Sequence, residues 1–154
     1  MRRDSRLSDV LHVLLHMAEH QGPVTSEALA RAVDTNPVVV RRFMAGLRAY
    51  GYVRSEKGHG GGWSLACDLA KVTLRDIYEA LGSPALLAVG NRADESGCLV
   101  GQVVHEALDD AFAQAEALLL ARLGKVTLAR LSATLHKRLV AEGGRQHLET
   151  VHAG

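Results

Sequence analysis

The sequence predicts a mainly α-helical chain with one small β-hairpin, in which three helices precede the hairpin and a long helix follows it. Three observations carry this expectation. Apolar residues recur at helical spacing up to Leu47. The pattern breaks at Gly51 into two short strand-like runs around the glycine-rich stretch Gly58-His59-Gly60-Gly61-Gly62. From Leu99 onward the helical spacing returns and persists to Leu123.

The elements follow in order. Leu7, Val10, Leu11, Leu14, Leu15 and Ala18 mark a first helix from about Ser5 to His20, stopped by Gln21-Gly22-Pro23. Thr25 is placed to cap a short second helix whose apolar side is Ala28, Leu29, Ala32 and Val33. After a tight turn at Asp34-Thr35-Asn36, Asn36 caps a third helix. Pro37 suits its first position because no intrahelical N–H is lost there. Val40, Phe43, Met44 and Leu47 form the buried stripe of that helix, and Gly51 ends it. Tyr52-Val53-Arg54-Ser55 and Trp63-Ser64-Leu65-Ala66 read as the two strands of the hairpin. Thr73, with Asp76 three residues on, starts a fourth helix through Ala80 as a capping box does. A mixed loop runs from Gly82 to Gly97. The long helix spans Leu99 to Leu123, on the order of 37 Å at the α-helical rise. Its apolar stripe of Val100, Val103, Val104, Ala107, Leu108, Ala111, Phe112, Ala115, Leu118 and Leu119 exceeds what so small a domain needs to cover itself. A second copy of the chain is its expected partner. Gly124 stops it, and Thr127 caps a last helix to about Leu139.

Composition narrows the class. With 47% hydrophobic and 23% charged residues among 154, the chain reads as an ordinary globular one. No apolar run approaches the roughly 20 residues that span a bilayer, and no leader peptide is expected. Cys67 and Cys98 are too few for a secreted disulfide framework, and the cytoplasm is the expected compartment. The net charge of +1 does not announce a polyanion partner. From Met1 to Trp63, however, nine bases oppose six acids, so the basic part of the chain coincides with the three helices and the hairpin.

Three helices followed by a hairpin is the order of a winged helix-turn-helix. In that unit the third helix enters the major groove and reads base edges from its N-terminal turns. Val38, Val39, Arg41, Arg42 and Ala45 fall off its apolar stripe, with Arg48 further along. Arginine bonds guanine bidentately or pairs with phosphate, and valine meets thymine methyl groups. Thr25, Ser26, Asn36 and Pro37, at the two helix starts, are further candidate DNA-binding residues, because the free N–H groups of a helix N-terminus favour phosphate. Lys57, His59 and Gly60 form the hairpin tip, the wing, where glycine permits close backbone approach to DNA. The plainer alternatives are a solvated helix face and an ordinary hairpin turn. The glycine run lacks the Lys-Ser/Thr of a phosphate-binding P-loop and lies between two strands.

The run Ser55-Glu56-Lys57-Gly58-His59-Gly60-Gly61-Gly62-Trp63-Ser64-Leu65 resembles the wing signature Ser-x-Arg-Gly-x-x-Gly-Gly-Tyr-x-Leu of the Rrf2 family of bacterial regulators, with Lys57 for Arg and Trp63 for Tyr. The resemblance extends to Leu47-Arg48-Ala49-Tyr50-Gly51, to Val72-Thr73-Leu74 with Ile77, and to Gly124-Lys125-Val126-Thr127-Leu128. It implies a homodimer joined by the long helix on a palindromic operator. Several relatives carry an acid directly after the buried residue of the recognition helix, where this chain has Arg41. Acids favour the cytosine amino group and arginine favours guanine, so the operator is expected to differ from theirs. Cluster-bearing members place three cysteines before the long helix at six-residue spacing. Here only Cys98 stands there, with Arg92 and Val104 six residues either side. No cofactor is therefore expected, an iron–sulfur cluster included.

Two other inputs are open. Asp9, His12 and His16 lie on one side of the first helix and, with Cys98, are candidate ligands of an unusual metal site, against the plainer reading of a solvated face. Cys98, at the start of the long helix, is a candidate redox sensor, because a helix N-terminus favours the thiolate; the alternative is a small packing residue. The expected organisation is a DNA-binding domain over residues 1–81, a sensing or linker loop over 82–98, dimerisation helices over 99–140 and a disordered tail over 141–154. The expected function is a homodimeric regulator of transcription, a repressor on duplex DNA, taking a small-molecule or oxidant signal through the loop, and not an enzyme. The alternatives are a winged-helix module for protein–protein assembly without DNA binding and a regulator that senses an iron–sulfur cluster or metal through unusual ligation.

Overall fold

The computed structural model describes residues 5–86 and 98–142. Over these, the order is α1 (Arg6–Glu19), α2 (Ser26–Ala32), α3 (Pro37–Ala49), β1 (Val53–Glu56), β2 (Gly62–Leu65), α4 (Leu74–Ala80), α5 (Leu99–Leu123) and α6 (Leu128–Ala141). Most of the expected 82–98 loop, nearly all of the 141–154 tail, and Arg2 and Arg3 lie outside the described residues.

Local chemistry starts the helices. The hydroxyl of Thr25 accepts from the Ala28 amide, and Asn36 Oδ1 accepts from the Val38 amide at 2.8 Å, with Pro37 following in the first turn. Thr73 and Asp76 complete their capping box in both directions, and Thr127 accepts from the Arg130 amide at 3.2 Å. Each cap satisfies an amide that has no carbonyl one turn back. α3 ends on Gly51 at φ +79°, which lets the Tyr52 amide return to the Leu47 carbonyl at 3.1 Å.

The two hairpin strands pair antiparallel with Val53 opposite Leu65 and Ser55 opposite Trp63. A third backbone segment joins them. The Trp63 amide donates to the Val24 carbonyl at 2.8 Å, and the Val24 amide donates to the Trp63 carbonyl at 2.9 Å. The wing is thereby stitched to the residue that leads into α2. This approach uses up the glycines. A Cβ on Gly62 would lie 2.6 Å from the Val24 carbonyl oxygen, and one on Gly61 would lie 2.2 Å from that of Glu56. Only Gly60 among the last three stands in open space, at φ +75°. The close backbone approach expected toward DNA is, at Gly61 and Gly62, an approach to the protein's own backbone.

The core sits between α1, α2, α3 and α4, with Val10, Val13, Leu14, Leu29, Val40, Met44, Leu47 and Ile77 fully buried. Leu128 of α6 joins them at 1% exposure. The stretch before α6 pairs with the stretch before α4. The Leu74 amide bonds the Val126 carbonyl and the Leu128 amide bonds the Val72 carbonyl, both at 2.9 Å. α6 then packs along α1, where His136 Nδ1 lies 3.4 Å from Glu19 Oε2. Within one chain α6 is therefore in contact with the winged-helix body, through Leu128 and along α1.

α5 buries none of its 25 residues. Its half-buried side chains Phe112, Glu116, Leu120 and Leu123 recur along one side. Glu116 accepts a 3.5 Å bond from the Tyr78 hydroxyl of α4, and Leu123 packs on the core. The other side carries Leu99, Val100, Val103, Val104, Leu108 and Leu118 in the open. The single apolar stripe expected from sequence is thus divided, with Phe112 turned inward and the valines outward.

Candidate nucleic-acid interface

The third helix is amphipathic in a way that dictates what it presents. Val40, Met44 and Leu47 are fully buried, which rotates Val38, Val39, Arg41, Arg42 and Arg48 outward. Val38 is 53% exposed and Val39 41%, large apolar side chains held in water at the start of the helix. The three arginines follow along the same exposed side.

They differ in their neighbours. Arg41 Nη1 donates to Glu27 Oε1 of α2 at 3.0 Å. Arg48 Nη1 reaches Ser55 Oγ of β1 at 3.4 Å, tying the end of α3 to the wing. Arg42 has no ion-pair partner among the described residues. Glu27 is held below the usual carboxylate range, first by its own backbone amide and then by the hydrogen bond and charge of Arg41. Nothing in local sequence pattern flags this acid, because its partner is fourteen positions away on another helix.

The remaining candidates fall into two groups. Lys57, His59 and Gly60 lie exposed at the wing tip, and Thr25 and Asn36 lie exposed at the two helix starts. The hydroxyl of Thr25 and the amide oxygen of Asn36 already serve as caps, and Pro37 is half-buried. Ser26 departs from expectation. It is buried at 7% exposure, and its Oγ accepts the indole N–H of Trp63 at 2.9 Å. Its side chain holds the wing instead of facing outward.

The candidate sensing residues are not brought together. Cys98 is exposed at the start of α5, where the free amides of Gly101 and Val100 hold its thiol below the usual range. Cys67 is half-buried behind the wing, and burial pushes its thiol up. On α1, His12 and His16 stack with ring centres 4.8 Å apart and Nε2 atoms 3.1 Å apart. Among the described residues no three His, Cys, Asp or Glu side chains converge as a metal site needs, so Asp9, His12, His16 and Cys98 do not form one ligand set within a chain. The two cysteines of the whole sequence likewise do not fit a cluster held by three thiolates. No helix among the described residues is long and apolar enough to cross a membrane.

Comparison with known proteins agrees with this geometry. The chain is 33% identical over 109 residues to YwnA of Bacillus subtilis strain 168, named as a candidate HTH-type transcriptional regulator, covering 71% of this chain and 80% of that protein. The crystal structure of a candidate transcriptional regulator from Lactobacillus plantarum superposes with a TM-score of 0.68 at 28% identity, covering 86% of this chain and 90% of the other. T. potens IscR shares the fold with a TM-score of 0.59 at 21% identity, over 94% and 93% of the two chains. The family model described as Rrf2, iron-dependent transcriptional regulator, matches residues 3–134, and the chain belongs to the Rrf2 family of transcriptional regulators.

Proposed function

We propose that the chain is a homodimeric repressor that binds a palindromic operator by laying α3 in the major groove of each half-site and the wing along the flanking backbone. One observation carries the reading. Burial of Val40, Met44 and Leu47 turns Val38, Val39, Arg41, Arg42 and Arg48 to one open side, Arg48 ties the end of α3 to the first wing strand, and the tip Lys57-Gly58-His59-Gly60 is exposed as well. That surface combines groups that read base edges with groups that bind phosphate. The caps at Thr25 and Asn36 leave helix N-termini with further amides for phosphate oxygens.

The open face of α5 is the dimer surface in this reading, and it sets two recognition helices about 34 Å apart, one turn of DNA. Binding there excludes polymerase from the same duplex, which is repression by occupancy. The signal, an oxidant or a small molecule, acts at Cys98 and the segment before it, where a change at the head of α5 alters the spacing of the two helices. An iron dependence taken over from the family's description finds no fitting thiolate set in one chain, so no step here runs through iron.

The test is selection of duplexes from a randomised pool, followed by fluorescence anisotropy over a range of salt. The wild type is expected to enrich an inverted repeat and to lose affinity steeply with salt as counterions are released. Arg41→Ala with Arg42→Ala should abolish enrichment while leaving the helical circular dichroism intact. Failure of the wild type to bind any duplex would overturn the reading in favour of a protein-assembly module.

A further inference from the structure

The contact between Glu27 and Arg41 has no evident part in holding the fold. Both side chains are about half exposed, at 57% and 50%, and ion pairs so open to water add little to stability. The helices that carry them are already fixed by Leu29 and Val40, both fully buried. Yet the pair lies on the open side of α3 that the proposed function turns to DNA. It couples the first turn of α2 to the part of α3 that reads bases.

Resting on that reading, we propose that Glu27 is a specificity-determining positioning residue: it holds Arg41 for one guanine in each half-site and, by balancing its charge, withdraws it from phosphate. Glu27 is itself anchored, since an acid in the first turn of α2 is favoured by the helix dipole. The bond from Arg41 Nη1 leaves the edge formed by Nε–H and Nη2–H, which matches O6 and N7 of guanine bidentately. An arginine whose rotamer is fixed before binding loses less freedom on contact, so the correct base gains more than a wrong one. The neighbouring Arg42, without an ion-pair partner among the described residues, supplies phosphate affinity instead. Two adjacent arginines thereby divide the work, one selecting sequence and one binding backbone.

The experiment compares wild type, Glu27→Gln, Arg41→Ala and Arg42→Ala. Each is run on the randomised duplex pool, then titrated against the selected duplex and a variant changed at the guanine, at several salt concentrations. Wild type should show one strongly selected guanine per half-site. Glu27→Gln should lose about fivefold or more of that preference, bind unrelated duplex more tightly, and steepen the slope of log affinity on log salt by about one, as one cation is freed to meet phosphate. Arg41→Ala should lose the same preference with little change in slope. Arg42→Ala should weaken all sequences alike and flatten the slope by about one. The proposal is overturned if Glu27→Gln keeps the guanine preference, or if Arg41→Ala and Arg42→Ala change preference and slope in the same way. Those outcomes leave sequence-selective binding by the wild type standing. A wild type that selects no duplex overturns the DNA-binding reading and this proposal together.

Discussion

The indole N–H of Trp63 donates to Ser26 Oγ at 2.9 Å, across 37 positions of sequence. The same tryptophan exchanges both backbone bonds with Val24, two residues before that serine. Wing and α2 are therefore one mechanical unit. The hairpin is held against the start of α2 at Trp63, which stands opposite Ser55 near the tip end of the two strands.

Trp63→Phe should expose what that link contributes. The phenyl ring retains apolar contact but removes the donor and leaves a buried hydroxyl to find another partner. We expect a loss of about 1–2 kcal/mol in urea unfolding and weaker binding to the selected duplex. Ser26→Ala should cost a similar amount. The double variant should cost little more than Trp63→Phe alone, since both remove the same bond. Strictly additive losses would show that the two residues act separately.

Leu128 provides a test of where the winged-helix body ends. It is buried beside α4 and brings α6 into the core. Leu128→Ala should destabilise the chain by about 2–5 kcal/mol, the range for emptying a packed leucine site. Val140, at the other end of α6, is 68% exposed, and Val140→Ala should leave the unfolding midpoint unchanged to within ~0.5 kcal/mol. If α6 were instead part of a detached dimerisation unit, Leu128→Ala would shift association and spare the unfolding of the monomer body.

These two cases show what sequence could and could not disclose. The starts of α2, α3, α4 and α6 were legible because each depends on a side chain and an amide within three residues: Thr25, Asn36, Thr73 and Thr127. The outward set on α3 was legible because burial of Val40, Met44 and Leu47 follows from period alone. The Val24–Trp63 bridge, the burial of Ser26, the Glu27–Arg41 pair and the return of α6 to α1 were not. Each joins residues distant in sequence, and no local period or cap encodes which distant partner is met. The glycine run was only half legible. Its composition announced a tight hairpin, but the crowding of Gly61 against Glu56 and of Gly62 against Val24 is a tertiary fact.

The two cysteines should part company with pH. Cys98 has the amides of Gly101 and Val100 beside it and a depressed thiol pKa, whereas burial raises that of Cys67. Because the folded chain favours the Cys98 thiolate, that interaction is present at alkaline pH and fades as pH falls through the folded pKa. Alkylation by iodoacetamide, followed by peptide mass spectrometry, should modify Cys98 first. Its rate should rise with pH to a midpoint below that of a free thiol, and Cys67 should lag with a higher midpoint. Equal midpoints at the two sites would contradict the arrangement. Cys98→Ser should remove the fast phase and leave the slow one.

The open side of α5 carries the last prediction. Val103 is 66% exposed and Leu118 63%, and both lie on a 25-residue helix with no fully buried residue. Apolar surface of that extent costs roughly 25 cal/mol for each Å² left in water, so a second α5 laid against it is the economical arrangement. Light scattering should give twice the chain mass for the wild type. Val103→Glu with Leu118→Glu should give one chain mass with unchanged helical circular dichroism, because neither side chain supports the winged-helix core. Affinity for a two-half-site duplex should then fall by about a hundredfold or more, since the second half-site no longer benefits from tethering to the first. Affinity for a single half-site should stay as it was. That split separates loss of pairing from damage to α3. An unaltered mass in the double variant would mean that the copies meet elsewhere, and that the exposed valines of α5 await a different partner.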